Sequence, residues 1–172
     1  VAGSEDDKLY LFDKDSNTPV WDSSLENGDH ITSLTISENG EYISVGTFYD
    51  RIYLFDVNNY EYLWKHTVDN SVNGLDISAD GEYIAVASSK LYLFNKDNST
   101  PLWSYEPGGH LYSVAISTDG EYIAAGGSSK VYFFKKSSST PLWTSSLGGA
   151  QDVSSLSISA TGEHIVAGSR DD

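Results

Sequence analysis

The chain contains no cysteine and no methionine among its 172 residues. Disulfides and thiolate metal sites are therefore excluded, and stability has to come from packing and hydrogen bonding. Basic residues are scarce: 10 Lys and Arg face 25 Asp and Glu, a formal net charge of −15. Affinity for a phosphate backbone rests on Lys and Arg, so this balance argues against a nucleic-acid partner. No stretch approaches the roughly 18 to 20 uninterrupted apolar residues of a helical membrane span, so no membrane insertion is expected. Residues 1–7 have neither the basic start nor the apolar run of a signal peptide. What the chain does have is aromatic surface, with twelve Tyr, six Phe and four Trp. A chain of this length removes about 70% of its unfolded surface from water on folding, which excludes disorder for most of it. The acidic, self-repelling surface suits an extracellular or periplasmic setting.

The four Trp residues reveal an internal repeat. Trp21, Trp64, Trp103 and Trp143 lie 43, 39 and 40 positions apart. Gly40, Gly81, Gly120 and Gly162 fall in the strings Ser-Glu-Asn-Gly-Glu-Tyr-Ile, Ser-Ala-Asp-Gly-Glu-Tyr-Ile, Ser-Thr-Asp-Gly-Glu-Tyr-Ile and Ser-Ala-Thr-Gly-Glu-His-Ile, at spacings of 41, 39 and 42. A period near 40 is the length of one four-stranded propeller blade. Within each period, short runs rich in Ile, Val, Tyr and Phe are bounded by turn residues, the pattern of strands. The spacing predicts innermost strands at 31–37, 72–78, 111–117 and 153–159, and second strands at 41–47, 82–88, 121–127 and 163–169. Third strands are predicted at 8–14, 51–57, 90–96 and 130–136, and outer strands at 19–24, 61–66, 101–106 and 141–146. The third strands read Leu-Tyr-Leu-Phe, Ile-Tyr-Leu-Phe, Leu-Tyr-Leu-Phe and Val-Tyr-Phe-Phe, nearly continuous apolar sequence that implies burial on both faces and hence stacked sheets. Proline opens three of the outer strands, a place where it is tolerated.

The predicted fold is all-β, a propeller of four blades of about 41 residues in one domain. Blades span 31–66, 72–106 and 111–146, and one composite blade combines 8–24 with 153–169. Val1-Ala2-Gly3-Ser4 repeats as Val166-Ala167-Gly168-Ser169, so the end of one second strand occurs twice for a single place in a ring. This overlap, and a start without Met inside a strand, suggest a piece of a longer array. Three alternatives stay open: a self-closed four-bladed ring, part of a longer parent, or a homodimer completing an eight-bladed ring.

These repeats resemble WD-repeat and quinoprotein-like (pyrroloquinoline quinone type) propeller repeats over the whole chain. Residues 11–21, ending at Trp21, and the copies ending at Trp64, Trp103 and Trp143 look like the quinoprotein docking motif, which implies that each Trp packs across to the next blade. The WD-repeat pattern pairs a His before the innermost strand with an Asp between second and third strands, and His30 and Asp50 match it in one blade. Other blades depart from it, with Asn70-Ser71 in one and Ser128-Ser129 in another. A quinoprotein dehydrogenase would need calcium, a carboxylate base and a ring of Trp and Arg around the quinone, whereas this chain has two Arg.

No nucleophile elbow, phosphate-cradling Gly loop or paired metal-binding His occurs, so no catalytic residue is assigned and no metal site is expected from the histidines. Asp13, Asp15 and Asn17 have the alternating oxygen spacing of a calcium loop but lack its Gly at the sixth place and Glu at the twelfth, so capping of the turn between third and outer strands is the preferred reading and calcium the alternative. Asp76 is the one charged side chain on a predicted innermost strand and so the candidate channel residue. The rim formed by the loops before the innermost strands and the loops between second and third strands varies most among repeats, and Phe48-Tyr49-Asp50-Arg51 adds bulky aromatics between one second and third strand. Phe48, Tyr49, Asp50 and Arg51, with His30 and His110 on the same rim, are the candidate contacts for a protein partner. The four Trp and the four repeated Gly are read as structural. The expected function is a non-catalytic interaction, scaffold or sensory module working through its loop rims. The alternative is an enzyme or ligand-binding propeller, quinoprotein-like or metal-assisted, with its active groups in the central channel or in a segment beyond this sequence.

Overall fold

A computed structural model describes residues 1–4, 6–26, 28–148 and 152–169. Among the described residues all regular elements are strands, paired antiparallel into five sheets. Three complete blades follow one another. The first holds β4 (Ile31–Ile36), β5 (Tyr42–Thr47), β6 (Arg51–Asp56) and β7 (Tyr62–Thr67). The second holds β8 (Gly74–Ile77), β9 (Tyr83–Ala87), β10 (Leu91–Asn95) and β11 (Asn98–Tyr105). The third holds β12 (Leu111–Ile116), β13 (Tyr122–Gly127), β14 (Lys130–Lys135) and β15 (Trp143–Ser146). In each sheet the strands lie side by side in chain order. Ahead of them stands a sheet of β1 (Ala2–Gly3), β2 (Lys8–Phe12) and β3 (Pro19–Ser24), and after them the hairpin β16 (Val153–Ile158) and β17 (Ile165–Ser169).

The third strands are buried on both faces, as their continuous apolar sequence requires: Ile52 to Phe55, Leu91 to Phe94 and Val131 to Phe134 are all buried. Each fully buried Phe contributes about 1.5–3 kcal/mol through transfer from water. Apolar clusters form between neighbouring blades, for example Leu9 and Leu11 with Ile43, Tyr53 and Phe55, and Ile52 and Leu54 with Ile84 and Phe94. Pairing to the outer strands is irregular near their starts, with register shifts between Leu11 and Phe12, Leu54 and Phe55, and Leu93 and Asn95, in β7 as well, which has no proline. Pro101 lies inside β11 at such a shift rather than at its start, which an outer strand tolerates because its free edge needs no amide there.

Three contacts recur from blade to blade. The indole Nε1 of Trp21, Trp64 and Trp103 donates to the carbonyls of Val57, Lys96 and Lys136 at 2.8, 2.7 and 2.7 Å. The same rings lie 6.2, 5.6 and 5.7 Å from Phe55, Phe94 and Phe134 of the following blade. Innermost strands are tied together by side chains, with Asn73 Nδ2 donating to the Leu111 carbonyl at 2.8 Å and Ser113 Oγ to that of Val153 at 2.9 Å. Finally, Tyr42, Tyr83 and Tyr122 each cover the turn glycine of the next blade. A Cβ on Gly120 would meet the Tyr83 ring at 2.7 Å, and one on Gly162 the Tyr122 ring at 2.5 Å. These glycines also have φ of 69° and 75°, so both the backbone and the neighbour demand glycine. The repeated Ser secures the turn: Ser78 Oγ donates to Asp80 Oδ1 at 2.6 Å and accepts the Tyr83 amide at 3.0 Å, and Ser117 does the same with Asp119 and Tyr122.

The composite blade is not assembled within this chain. β1 holds the inner edge of β2, with Ala2 opposite Tyr10 and Gly3 opposite Leu9, while β16 and β17 form a sheet of their own. The physical reason is the duplicated Val-Ala-Gly-Ser: the local copy, tethered a few residues from β2, takes the one available place.

Candidate functional site

The rim is organised around a buried carboxylate that sequence reasoning passed over. Asp29, wholly buried in the loop before β4, accepts from Thr47 Oγ1 at 3.0 Å and from the Tyr53 hydroxyl at 2.5 Å, and pairs with Arg51 Nη1 at 2.9 Å. Burial, reinforced by the hydrogen bond to Asp29, pushes the Tyr53 phenol well above its ordinary range, so it stays a donor. The Asp29 hydrogen bond likewise raises Arg51. Arg51 reaches Glu26 at 3.3 Å, and Glu26 also pairs with Lys65. A signal for Asp29 did exist. A basic residue opens or directly precedes the third strand of each repeat (Lys8, Arg51, Lys90 and Lys130), and such residues find acids elsewhere too, as in Lys8 with Asp22 at 2.8 Å and Lys90 with Asp69 at 2.5 Å.

His30 and Asp50 are not hydrogen-bonded to each other. The His30 Nδ1 lies 3.3 Å from Asp7 Oδ1, and Asp50 occupies a left-handed turn position at φ 65° whose carbonyl accepts the Val68 amide at 2.8 Å. The buried acid of this blade thus stands one residue before the histidine, where its short side chain reaches Thr47 and Tyr53.

Phe48 and Tyr49, in the turn between β5 and β6, are 54% and 52% exposed and meet edge to face at 5.3 Å. The backbone of Phe48 is fixed: its amide donates to the His30 carbonyl at 2.9 Å, and its carbonyl accepts from Ser71 Oγ at 2.6 Å. The Tyr49 ring lies 6.2 Å from His30. His30, Ile31, Thr32 and Phe48 line an open groove of about 510 Å³. His110, two blades along, is exposed and borders a small recess with Pro107, Gly109, Ser128 and Tyr132, so the structure gives each histidine separate local surroundings. Among the described residues no group of three or more His, Asp or Glu side chains is placed to hold a metal.

Asp76 joins two blades. Its Oδ1 accepts the Ile77 amide and its Oδ2 the Ile116 amide of β12, both at 3.0 Å. Burial raises its pKa above the ordinary carboxylate range, opposed by these two amides. Asp13, Asp15 and Asn17 sit exposed between β2 and β3. Asp13 Oδ1 accepts the Asp15 amide at 2.9 Å, and Asp15 pairs with Lys14 at 2.6 Å. The residues do not fit a quinone with calcium. Three of the indoles are engaged between blades, Arg51 is committed to Asp29 and Glu26, and both oxygens of Asp76 are taken by backbone amides.

Comparison with known proteins agrees with this architecture. Echinoderm microtubule-associated protein-like 2 of mouse is 30% identical over 89 residues, 51% of this chain and 13% of that protein. The human and rat proteins match to the same extent. The chain therefore aligns with only a small part of the length of these relatives. The family model described as outer membrane protein assembly factor BamB matches residues 5–170. With the repeat, the stacked antiparallel blades and this match along nearly its whole length, the chain belongs to the BamB-like family of β-propeller repeats.

Proposed function

We propose that this chain is a non-catalytic interaction module that binds a protein partner through the loop rim of its first complete blade. The observation that carries this reading is the Phe48–Tyr49 pair, two aromatic rings exposed to solvent on a turn whose backbone is hydrogen-bonded on both sides at Phe48. Exposed aromatic anchors on a rigid frame lose little conformational entropy on binding and are enriched at binding hot spots. The groove beside them is apolar at Ile31 and Phe48 and polar at Thr32 and His30, a mixture suited to a side chain of a partner. The Asp29 network serves as the support that keeps this corner in shape.

The test has two arms. A photo-crosslinking residue placed at Phe48 should trap a discrete partner in the native host, whereas the same residue at Leu63, exposed on outer strand β7, should not. The double variant Phe48→Ser/Tyr49→Ser should abolish the complex while changing stability by no more than about 0.5 kcal/mol, as exposed substitutions do. Equal trapping at both positions, or a loss of more than about 2 kcal/mol in the double variant, would show that the rings cap their own blade instead.

A further inference from the structure

Every third strand carries a Tyr at the same place, and in three repeats its hydroxyl meets an aspartate. Tyr10 donates to Asp6 Oδ2 at 2.7 Å, Tyr53 donates to Asp29 Oδ2, and Tyr92 is hydrogen-bonded to Asp69. In the first two complete blades the same aspartate also pairs with the basic residue two positions before the Tyr. Asp29 meets Arg51 at 2.9 Å and Asp69 meets Lys90 at 2.5 Å. A carboxylate held between a cation and a phenol is therefore a recurring unit of these blades, with the acid supplied by the loop before the innermost strand. It satisfies a hydroxyl that packing between blades leaves with little access to water.

The third complete blade keeps the cation and the phenol, as Lys130 and Tyr132, but lacks the acid. Its loop reads Pro107-Gly108-Gly109-His110. Counting back from Ile31, Val72 and Leu111, Gly109 stands where Asp29 stands in the first blade and Gly108 where Asp69 stands in the second. The loops of the first and third blades follow the same path, with φ of 81° at Gly28 and 79° at Gly108. Where the side chain is missing, a recess of about 100 Å³ opens, bordered by His110, Ser128, Lys130 and Tyr132 and by no acid among the described residues. Asp152, which accepts from Ser128 Oγ at 3.3 Å, does not line it. Tyr132 is 5% exposed, and its hydroxyl has no hydrogen-bond partner among the described residues. Burial pushes this phenol above its ordinary range, so it remains a donor. Lys130 is exposed, whereas Arg51 and Lys90 are partly covered by their acids.

We propose that this recess binds a carboxylate, held between the Lys130 ammonium and the Tyr132 hydroxyl in the place that Asp29 and Asp69 fill in the other blades. Charge-assisted hydrogen bonds of this kind are the strong ones, and Ser128 and His110 add polar edges. The size of the recess suits a carboxylate head with a carbon or two, as presented by a free small acid or by an acidic side chain of a partner. The net charge of −15 opposes the approach of anions, so affinity rests on these short-range donors, and acetate alone is expected to bind in the millimolar range. Both walls of the recess, the loop from β11 to β12 and the start of β14, belong to complete blades. The site is separate from the Phe48–Tyr49 corner and does not depend on the function proposed for it.

The test follows the amide signals of Gly108, Gly109 and His110 by NMR in the whole nitrogen-15-labelled chain, titrated with sodium acetate, with sodium chloride and with a Gly-Asp-Gly peptide blocked at both ends. Saturable shifts are expected with acetate, the peptide or both. Tighter binding of the peptide identifies a partner's side chain as the source, and tighter binding of acetate a free acid. Lys130→Gln and Tyr132→Phe should each weaken binding by about fivefold or more, the worth of one hydrogen bond. Gly109→Asp supplies the acid from the chain itself: its Cβ would meet nothing nearer than Ser128 Oγ at 4.0 Å, and it should abolish binding, whereas Gly109→Ala should leave the affinity within about twofold. No saturable shift with either carboxylate, an equal response to chloride, or undiminished binding by Gly109→Asp would each overturn the inference.

Discussion

Removing the buried carboxylate at Asp29 should be among the most damaging single substitutions in the first complete blade. Asp29 is fully buried and holds three partners: Thr47, Tyr53 and Arg51. Truncating one member of a buried ion pair costs about 3–5 kcal/mol. The low end applies here, because Arg51 is partly exposed and keeps Glu26 at 3.3 Å. The Tyr53 hydroxyl, left in a fully buried side chain without its acceptor, adds about 1–3 kcal/mol taken alone. The two penalties overlap in one network, so Asp29→Ala is expected to lose about 3–4 kcal/mol, roughly 6–16 °C in Tm for a chain of this size. Urea unfolding followed by tryptophan fluorescence measures it. Tyr53→Phe alone should lose about 1 kcal/mol, and the double variant Asp29→Ala/Tyr53→Phe should be more stable than the sum of the two by about 1 kcal/mol or more, since the orphaned hydroxyl is gone. A loss below about 1 kcal/mol for Asp29→Ala, or strict additivity in the cycle, would refute the assignment of Asp29 as the support of the rim.

Two further outcomes are expected. Trp64→Phe keeps most of the packing on Phe94 but removes the bond to the Lys96 carbonyl, so a loss of about 1–2 kcal/mol is expected in the same unfolding assay. A neutral result would mean that the indole N–H contributes nothing to joining blades. For Asp76, burial raises the folded-state pKa above the unfolded value of 3.8, so the folded state binds the proton more tightly. Its contribution is then fully present below pH 3.8 and is lost as pH rises through the folded value. Relative to Asp76→Asn, the wild-type chain should gain stability as pH falls from 7 towards 3.8, and urea midpoints of the pair across that range report it; an opposite trend would count against a desolvated carboxylate at this joint.

How much of this was legible beforehand differs from residue to residue. The Phe48-Tyr49 insertion stood out because only one repeat carries it, and the structure leaves both rings in solvent. Asp29 did not stand out, since the attention drawn to His30 and Asp50 by the WD-type pattern masked the acid one residue earlier. Which of two neighbouring side chains points inward depends on the path of a loop, and no periodicity records that. Asp76 stands out in the sequence as the one charged side chain on a predicted innermost strand, but that its oxygens are spent on backbone amides of two blades is visible only with β8 and β12 side by side.

The sequence by itself determined the blade. A period near 40, alternating and doubly apolar strands, turn glycines and one Trp per repeat are local signals, and each is repeated often enough that accidental matches cancel. Tertiary structure decided how the blades are joined and which groups are left over. The Trp-to-carbonyl bonds, the Tyr rings on turn glycines, the Asp29 network and the choice of β1 over β17 beside β2 all link residues from different strands or different repeats. Their energies depend on packing geometry, on burial and on competition between identical strings for one place, and these are properties of the folded arrangement rather than of any segment of the chain.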